Sequence, residues 1–271
     1  MKASTTSLPP RNKKTAHSKH RPLLRLWAVL VWLLIWQIAA QSFEARELSF
    51  LLPSPVSVAK RFFELVLTSD FRARAVFSSL RVMLGMLLGA ATGVLLGMAA
   101  YFVSAIKTLL QPPVAVIRAT PVASFIIIAL VWLSDAALGV FIAFLICFPV
   151  FYSNTLAGLG AADRQLLEMA HTFRLPFFKR LRVIYMPSLL PHVSSALESA
   201  VGLAWKSGTA AEVIAIPKGS IGAQLYRAKV DLATVNLLAW TLAIVMLSAA
   251  FAYVFRLLAR LAARRWGETG E

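Results

Sequence analysis

Six apolar blocks recur along the chain, at Leu23 to Ala40, Val82 to Val103, Leu109 to Leu133, Ala137 to Leu156, Leu190 to Ile216 and Thr234 to Ala259. A helix needs roughly 20 apolar residues to cross a ~30 Å hydrocarbon core, so each block predicts one transmembrane helix. The pattern therefore predicts an all-α integral membrane protein of about six spans. Between the first two blocks the pattern changes. Leu52-Pro53-Ser54-Pro55 predicts a rigid turn, and Val56 to Leu67 has helical spacing with Lys60, Arg61 and Glu64 outward, as an interfacial helix would. Ahead of the first block, residues 1–22 form a basic, proline-bearing stretch read as a disordered cytoplasmic tail. The first block could instead be a removable signal, with Ala39-Ala40-Gln41-Ser42 for cleavage, but it exceeds the usual ~7–15-residue apolar region.

Composition sharpens this picture by exclusion. A hydrophobic content of 59% and a mean hydropathy of +0.72 do not fit a water-soluble globule. The spans consume about 120 residues, leaving no room for a separate soluble catalytic domain. Cys147 is the sole cysteine, which rules out a disulfide framework. The formal net charge is +16, yet the basic residues flank apolar blocks and do not gather on one soluble face, so nucleic acid is not the expected partner. With both termini cytoplasmic, 17 of the 28 Lys and Arg fall inside, nine outside and two, Arg118 and Lys206, within spans. Six of the outside positives lie between Arg46 and Arg81, more than the positive-inside rule favours. The expected organisation is a tail at 1–22, a permeating domain at 23–260 with a cytoplasmic loop at 161–189, and a cytoplasmic tail at 261–271.

Within the spans, three features carry candidate chemistry. Gly85, Gly89, Gly93 and Gly97 recur every four residues, a bare ridge against which another helix can pack closely, either within this chain or from a second copy. In the fifth span Ser195, Glu198, Ser199, Gly202, Lys206 and Thr209 share one side of the helix, and Glu212 lies off that stripe toward the outer end. Charge at mid-bilayer costs roughly 2.5–3.5 kcal/mol, so Glu198 and Lys206 must face protein or water. The stripe reads either as a wall of a translocation path or as an internal polar helix contact. In the third span Pro112, Pro113 and Pro121 predict a kink or break, with Thr120 pushed away from helical angles. Arg118 beside that break could line a cavity that takes an anion, or reach the cytoplasmic headgroups.

Between the fourth and fifth spans, Asp163 to Pro191 is too charged to cross and too regular to be loose. Leu166, Leu167, Ala170 and Phe173 give a short helix an apolar face, Asp163 can cap it, and Arg174-Leu175-Pro176 ends it. Such a helix suits docking in another protein's groove, or lying on the membrane.

Glu168-Met169-Ala170 followed at the right distance by Ile184-Tyr185-Met186-Pro187 resembles the EAA loop of ABC importer permeases, whose pattern is E-A-A, three residues, G, nine residues, I-x-L-P. Met169 replaces Ala, Met186 replaces Leu, and Arg174 stands where that family usually has Gly; with no glycine, Pro176 is expected to end the helix. Leu52-Pro53-Ser54-Pro55, Ser79-Leu80-Arg81, Thr120-Pro121-Val122-Ala123 and Glu212 followed by Gly219-Ser220-Ile221-Gly222 are similar to the nitrate, sulfonate and taurine branch. The resemblance implies the type I importer permease fold in a prokaryotic inner membrane. It implies a homodimer with a second permease copy, cytoplasmic ABC ATPase subunits, an extracytoplasmic solute-binding protein and a small anionic solute. It makes Glu168, Met169, Ala170, Phe173, Arg174, Ile184 and Pro187 the ATPase-coupling residues. The candidate pathway residues are Arg118, Ser195, Glu198, Ser199, Lys206, Thr209 and Glu212.

No cofactor is expected. G-x-x-x-x-G-K-[ST] does not occur, so ATP must be bound by a separate chain, and no H-E-x-x-H, G-x-S-x-G or paired-cysteine metal site gives an enzyme a home. Two other classes fit the residues less fully: a membrane scaffold using the glycine ridge and basic tail, and an ion-gradient-driven transporter using Glu198 and Lys206.

Overall fold

The computed structural model describes residues 21–46, 48 and 50–267, and every regular element among them is helical. The expected tail at 1–22 lies almost wholly outside the described residues. The chain divides into two compact units at Pro55. The first holds α1 (Arg21–Glu44), 24 residues and about 36 Å long. Beyond α1 the chain is held by Trp36, whose indole donates to the Pro53 carbonyl at 3.1 Å and fixes the turn that the Leu-Pro-Ser-Pro string predicts.

In the second unit α2 (Pro55–Val66) is amphipathic, with Val58 buried and Phe62, Leu65 and Val66 half-buried. Arg61, expected outward, reaches Asn236 Oδ1 at 2.6 Å with its Nε. The next helix, α3 (Ser69–Phe102), is 34 residues long, about 51 Å. Thr68 caps it by accepting from Phe71 N at 3.1 Å, and Asp70 in the first turn sits well with the helix dipole. The apolar block begins at Val82, but the helix begins at Ser69. The charges that end the block are accommodated on the helix: Arg74 pairs with Asp70 at 2.6 Å, and the Arg81 guanidinium lies 3.9 Å from the Phe77 ring centroid.

α4 (Ser104–Ala119) and α5 (Val122–Ala129) divide the third block at an angle of 103°. The break is at Thr120, extended at φ −83°, ψ 134°, which is what a proline in the next position imposes. Pro112 and Pro113, expected to interrupt this span too, lie inside α4 without ending it. α6 (Asp135–Gly160), α7 (Arg164–Thr172), α8 (Phe177–Arg180), α9 (Met186–Ala215), α10 (Ile221–Val230) and α11 (Thr234–Gly267) complete the chain. α11 continues as helix through the first residues of the expected C-terminal tail.

Among the described residues four helices, α1, α3, α6 and α11, are long and apolar enough to cross a membrane, and the number rises to five where the bent pair α4–α5 is counted as one broken span and not as a re-entrant loop. α9 matches them in length at 30 residues but carries Glu198, Lys206 and Glu212. The six apolar blocks of the sequence thus map onto these helices.

Packing centres on α3, α6 and α9. The glycine ridge of α3 lies on α6: a Cβ built on Gly85, Gly89, Gly93 or Gly97 would stand 2.7–2.9 Å from Cβ of Ala143, Cys147, Phe151 or Thr155 respectively. Both partners step by four residues, so two ridges run side by side and the backbones touch. The ridge is therefore an internal seam. α9 closes the other side of α6 with its own small residues, Ala196, Ala200, Ala204 and Gly208, all buried. Around the seam Phe71 stacks on Trp240 at 5.3 Å and Trp205 meets Phe251 at 5.7 Å, which ties α11 in.

Candidate functional site

Two regions carry the residues singled out by the sequence. The first runs from α7 through α8 to the start of α9. Asp163 Oδ1 accepts from Gln165 N at 2.8 Å, so the expected cap forms. At the other end Pro176 is not the terminator. Arg174 takes left-handed angles at φ 51°, and its N–H donates to His171 O at 3.0 Å while Leu175 N donates to Ala170 O at 2.9 Å. That bond pair is the Schellman ending that glycine normally makes, built here with an arginine.

Ala170 is fully buried, turned into the protein, while Leu166, Met169 and Phe173 are exposed at i, i+3 and i+7. The outward apolar stripe of α7 is thus Leu166-Met169-Phe173, and the alanine spaces the helix from the chain beneath it. Glu168 is exposed beside the stripe and lies 3.4 Å from Arg164.

From Phe177 to Ala215 the backbone is continuously helical, through a π turn at Leu181–Tyr185 in which Met186 N donates to Leu181 O. A π turn is where a helix accommodates a residue it cannot bond normally, and Pro187 comes directly after Met186. Ile184 is buried and Pro187 exposed. Tyr185 meets Tyr101 and Phe102 edge-on at 5.8 and 5.4 Å, and Phe177 meets Phe102 at 5.3 Å, so the loop is tied to the end of α3.

The second region is α9. Ser195, Glu198, Ser199, Gly202 and Lys206 share an exposed face, whereas Thr209 is buried and donates to Trp205 O. Glu198 does not pair with Lys206 but lies 3.3 Å from Arg256 of α11. Between α9 and α11 runs a groove of about 440 Å³ lined by Glu198, Gly202, Trp205, Lys206 and Ser248 among others.

Glu212 is part of neither face. Its side chain is buried where α3, α9 and α10 meet, and its Oε2 accepts from Ser78 Oγ at 2.7 Å and Gly222 N at 3.2 Å. Ser78 Oγ in turn accepts from Ile221 N at 3.0 Å, and Ser220 caps α10 by accepting from Ala223 N. A Cβ on Gly222 would stand 2.3 Å from Cβ of Glu212, so only glycine lets α10 close over the carboxylate. Sequence reasoning does not mark Ser78, Ser220 and Gly222 as a site. The available signal is a glutamate within Ala-Ala-Glu-Val-Ile-Ala, which demands buried partners.

Arg118 ends α4 and bonds the Pro149 carbonyl at 2.9 Å and the Ser153 hydroxyl, both on α6. It borders a second groove of about 380 Å³ with Lys107, Gln111 and Tyr152. The guanidinium is thus a bridge between the broken span and α6, at the edge of an open groove.

A family described as the binding-protein-dependent transport system inner membrane component matches residues 85–268. The chain belongs to that family. Among its relatives, the putative aliphatic sulfonates transport permease protein SsuC of Bacillus subtilis is 27% identical over 227 residues, covering 81% of each chain. The nitrate import permease protein NrtB of Synechocystis is 26% identical over 231 residues, covering 79% of this chain and 81% of its own. The bicarbonate transport system permease protein CmpB of Synechococcus elongatus is 26% identical over 204 residues, covering 71% and 72%. These relatives are permease subunits, not enzymes. Two solved structures share the fold. The crystal structure of an amino acid ABC transporter with histidines superposes with a TM-score of 0.57 at 15% identity, over 76% of this chain and 96% of that one. A bacterial ABC transporter involved in the import of the acidic polysaccharide alginate gives 0.56 at 16% identity, over 92% and 98%. The fold is that of an ABC importer permease, as the EAA-like loop implies.

Proposed function

We propose that this chain is the membrane subunit of an ATP-driven, binding-protein-dependent importer for a small anionic solute such as a sulfonate, nitrate or bicarbonate. Two copies form the pathway, both termini face the cytoplasm, two ATPase subunits dock on α7, and an extracytoplasmic binding protein delivers the solute. The observation that carries the reading is the exposed Leu166-Met169-Phe173 stripe on a short helix capped at both ends. A rigid helix presenting apolar residues at i, i+3 and i+7 is suited to a groove in a partner. The names of the relatives support the anionic class of solute.

Mechanically, ATP binding draws the ATPase pair together and carries α7 with it. The aromatic cluster of Tyr101, Phe102, Phe177 and Tyr185 and the unbroken helical run from Phe177 pass that displacement to α3 and α9. Alternating access is then a change in population between two bundle arrangements, each favoured by the ligands it binds better. Ser195, Glu198, Ser199 and Lys206 of α9 lie along the pathway side, with Thr209 buried behind them and Arg118 and Glu212 supporting it from α4 and from the α10 end.

The test is purification of the assembled complex in mild detergent. Substituting Met169→Asp together with Phe173→Asp places charge on the docking stripe without touching the bundle. Loss of a stoichiometric ATPase from the purified complex is expected, about 30-fold weaker association for a hot-spot loss near 2 kcal/mol. Retention of the ATPase by the double variant would overturn the docking assignment.

A further inference from the structure

We infer that the groove between α9 and α11 is an anion site, with the Lys206 ammonium and the Ser248 hydroxyl as its donors. The inference rests on the permease reading for the groove's place in a dimer, and on local geometry for its chemistry.

Two donors line this groove, and among the described residues neither has an acceptor. The Lys206 ammonium makes no hydrogen bond or ion pair, and the Ser248 hydroxyl is unbonded. The groove's one carboxylate, Glu198, is held by Arg256 at 3.3 Å and so is not free to neutralise the lysine. What remains is a concave wall of unpaired N–H and O–H groups carrying one positive charge, of a size that takes a small ligand.

Depth makes the charge decisive. Lys206 lies nine residues before the end of α9 at Ala215, about 14 Å at ~1.5 Å per residue, well inside a helix that the permease reading sets across the membrane. A charged side chain at that depth is strongly disfavoured unless water or a counter-charge meets it. Among the described residues no counter-charge lies at that level. Glu198 is about 12 Å away along the helix and Glu212 about 9 Å, the latter buried on Ser78. Every other described acid sits at the end of a span or in the connections and short helices between spans.

A second copy does not change this. Two copies inserted in the same sense are related by an axis along the membrane normal, so each residue meets its counterpart at equal depth. The partner's residue at this level is another lysine, and pairing the two grooves would double the positive charge. Apart from water, the compensator that suits this wall is a ligand: a small oxyanion, such as a sulfonate, nitrate or bicarbonate group, that accepts from ammonium and hydroxyl together. The same acceptor chemistry exists in a lipid phosphate, and the experiment separates the two.

The test uses the full chain with Ser248→Cys, and in parallel Ala249→Cys on the same wall should the first variant fail to fold. Cys147 is buried and stays silent. The anionic sulfonatoethyl methanethiosulfonate should modify the new thiol at least roughly tenfold faster than the cationic trimethylammonioethyl reagent, each normalised to a free thiol. Lys206→Gln should bring that ratio to about one, and ethanesulfonate should slow the reaction in vesicles of phosphatidylcholine alone. Equal rates with Lys206 in place, or a preference that survives Lys206→Gln, would overturn the site. So would protection that appears only when anionic lipid is added, since the occupant would then be a headgroup. ATPase co-purification measured on the same samples keeps the two readings apart: its loss removes the permease reading and leaves the reagent ratio standing.

Discussion

The two faces of α9 are built from the same helix and behave in opposite ways. Toward α6 it presents Ala196, Ala200, Ala204 and Gly208, all buried, and the Cys147 Sγ lies 3.7 Å from the Ala200 carbonyl. Away from α6 it presents Ser195, Glu198, Ser199, Gly202 and Lys206, all exposed. On the first face contact distances fix everything and chemistry is absent; on the second, Glu198 is held by Arg256 and Ser199 by the Ser195 carbonyl, while Lys206 has no partner among the described residues. Small residues have opposite meanings on the two sides. Gly208 would place a Cβ 2.8 Å from Val82 Cγ2, whereas a Cβ on Gly202 would meet nothing within 4 Å. A membrane subunit that must hold a fold while changing shape gains from this division, because the dry seam can move as one body while the polar face is re-partnered.

The largest expected effect comes from breaking the dry side. Gly93→Leu on α3 would drive a Cβ to 2.7 Å from Phe151 Cβ and 2.8 Å from the Phe148 carbonyl, and backbone atoms cannot step aside. Separation of α3 from α6 should cost about 3 kcal/mol or more, seen as a collapse of the thermal transition in detergent. Gly202→Leu, of identical chemistry on the open face, should stay within about 0.5 kcal/mol of the parent. Similar losses at both positions would show that the two faces do not differ in the way their contacts indicate.

Next is the carboxyl group between them in character, buried like the seam yet polar like the open face. Glu212→Ala leaves Ser78 Oγ and Gly222 N without their shared acceptor in a dry site. Such a loss is expected to cost about 2–3 kcal/mol, and Glu212→Gln, which keeps the shape and one acceptor, should recover about half. Thermal melts of the three proteins check this. If alanine proves neutral, the α9–α10 closure does not depend on Glu212.

How much of this is legible in the sequence depends on range. The four-residue glycine period announces a close helix contact, but its partner, α6, is set by packing 58 residues away, as from Gly85 to Ala143, and leaves no local mark. Pro121 marks the 103° break because its effect on Thr120 is local. Pro112 and Pro113 look equivalent and are not, since α4 absorbs them. The start of α3 is hidden by Arg72, Arg74 and Arg81, because hydropathy senses charge and not the partners that hold it. In the loop, Asp163 is readable as a cap, while the inward turn of Ala170 is not: helical spacing gives a stripe, and only the surrounding fold says which flank of it faces out. Glu212 can be placed at the end of the fifth block but not with its partners, since Ser78 is 134 residues distant in the chain.

The smallest effect concerns the end of α7, where the family's glycine is replaced. Arg174 at φ 51° and Leu232 at φ 52° both close their helices by the same bond pair, the latter with Ala233 N on Ala228 O. A side chain in left-handed angles costs about 1–2 kcal/mol, and glycine gives back part of that through its freer unfolded chain. Arg174→Gly is therefore expected to stabilise by about 0.5–1 kcal/mol, and Leu232→Gly at the end of α10 by a similar amount. The arginine change also removes a positive charge from the exposed loop, which two further variants separate. Arg174→Asn tolerates the left-handed angles and loses the charge, so it should stabilise nearly as well as glycine. Arg174→Gln loses the charge and keeps the strain, and should leave the melting temperature where it is. If glutamine rises as far as glycine, the gain is electrostatic and the backbone is not its source; if asparagine and glycine both fail to rise, the arginine is held by contacts of its side chain and the strain is already offset.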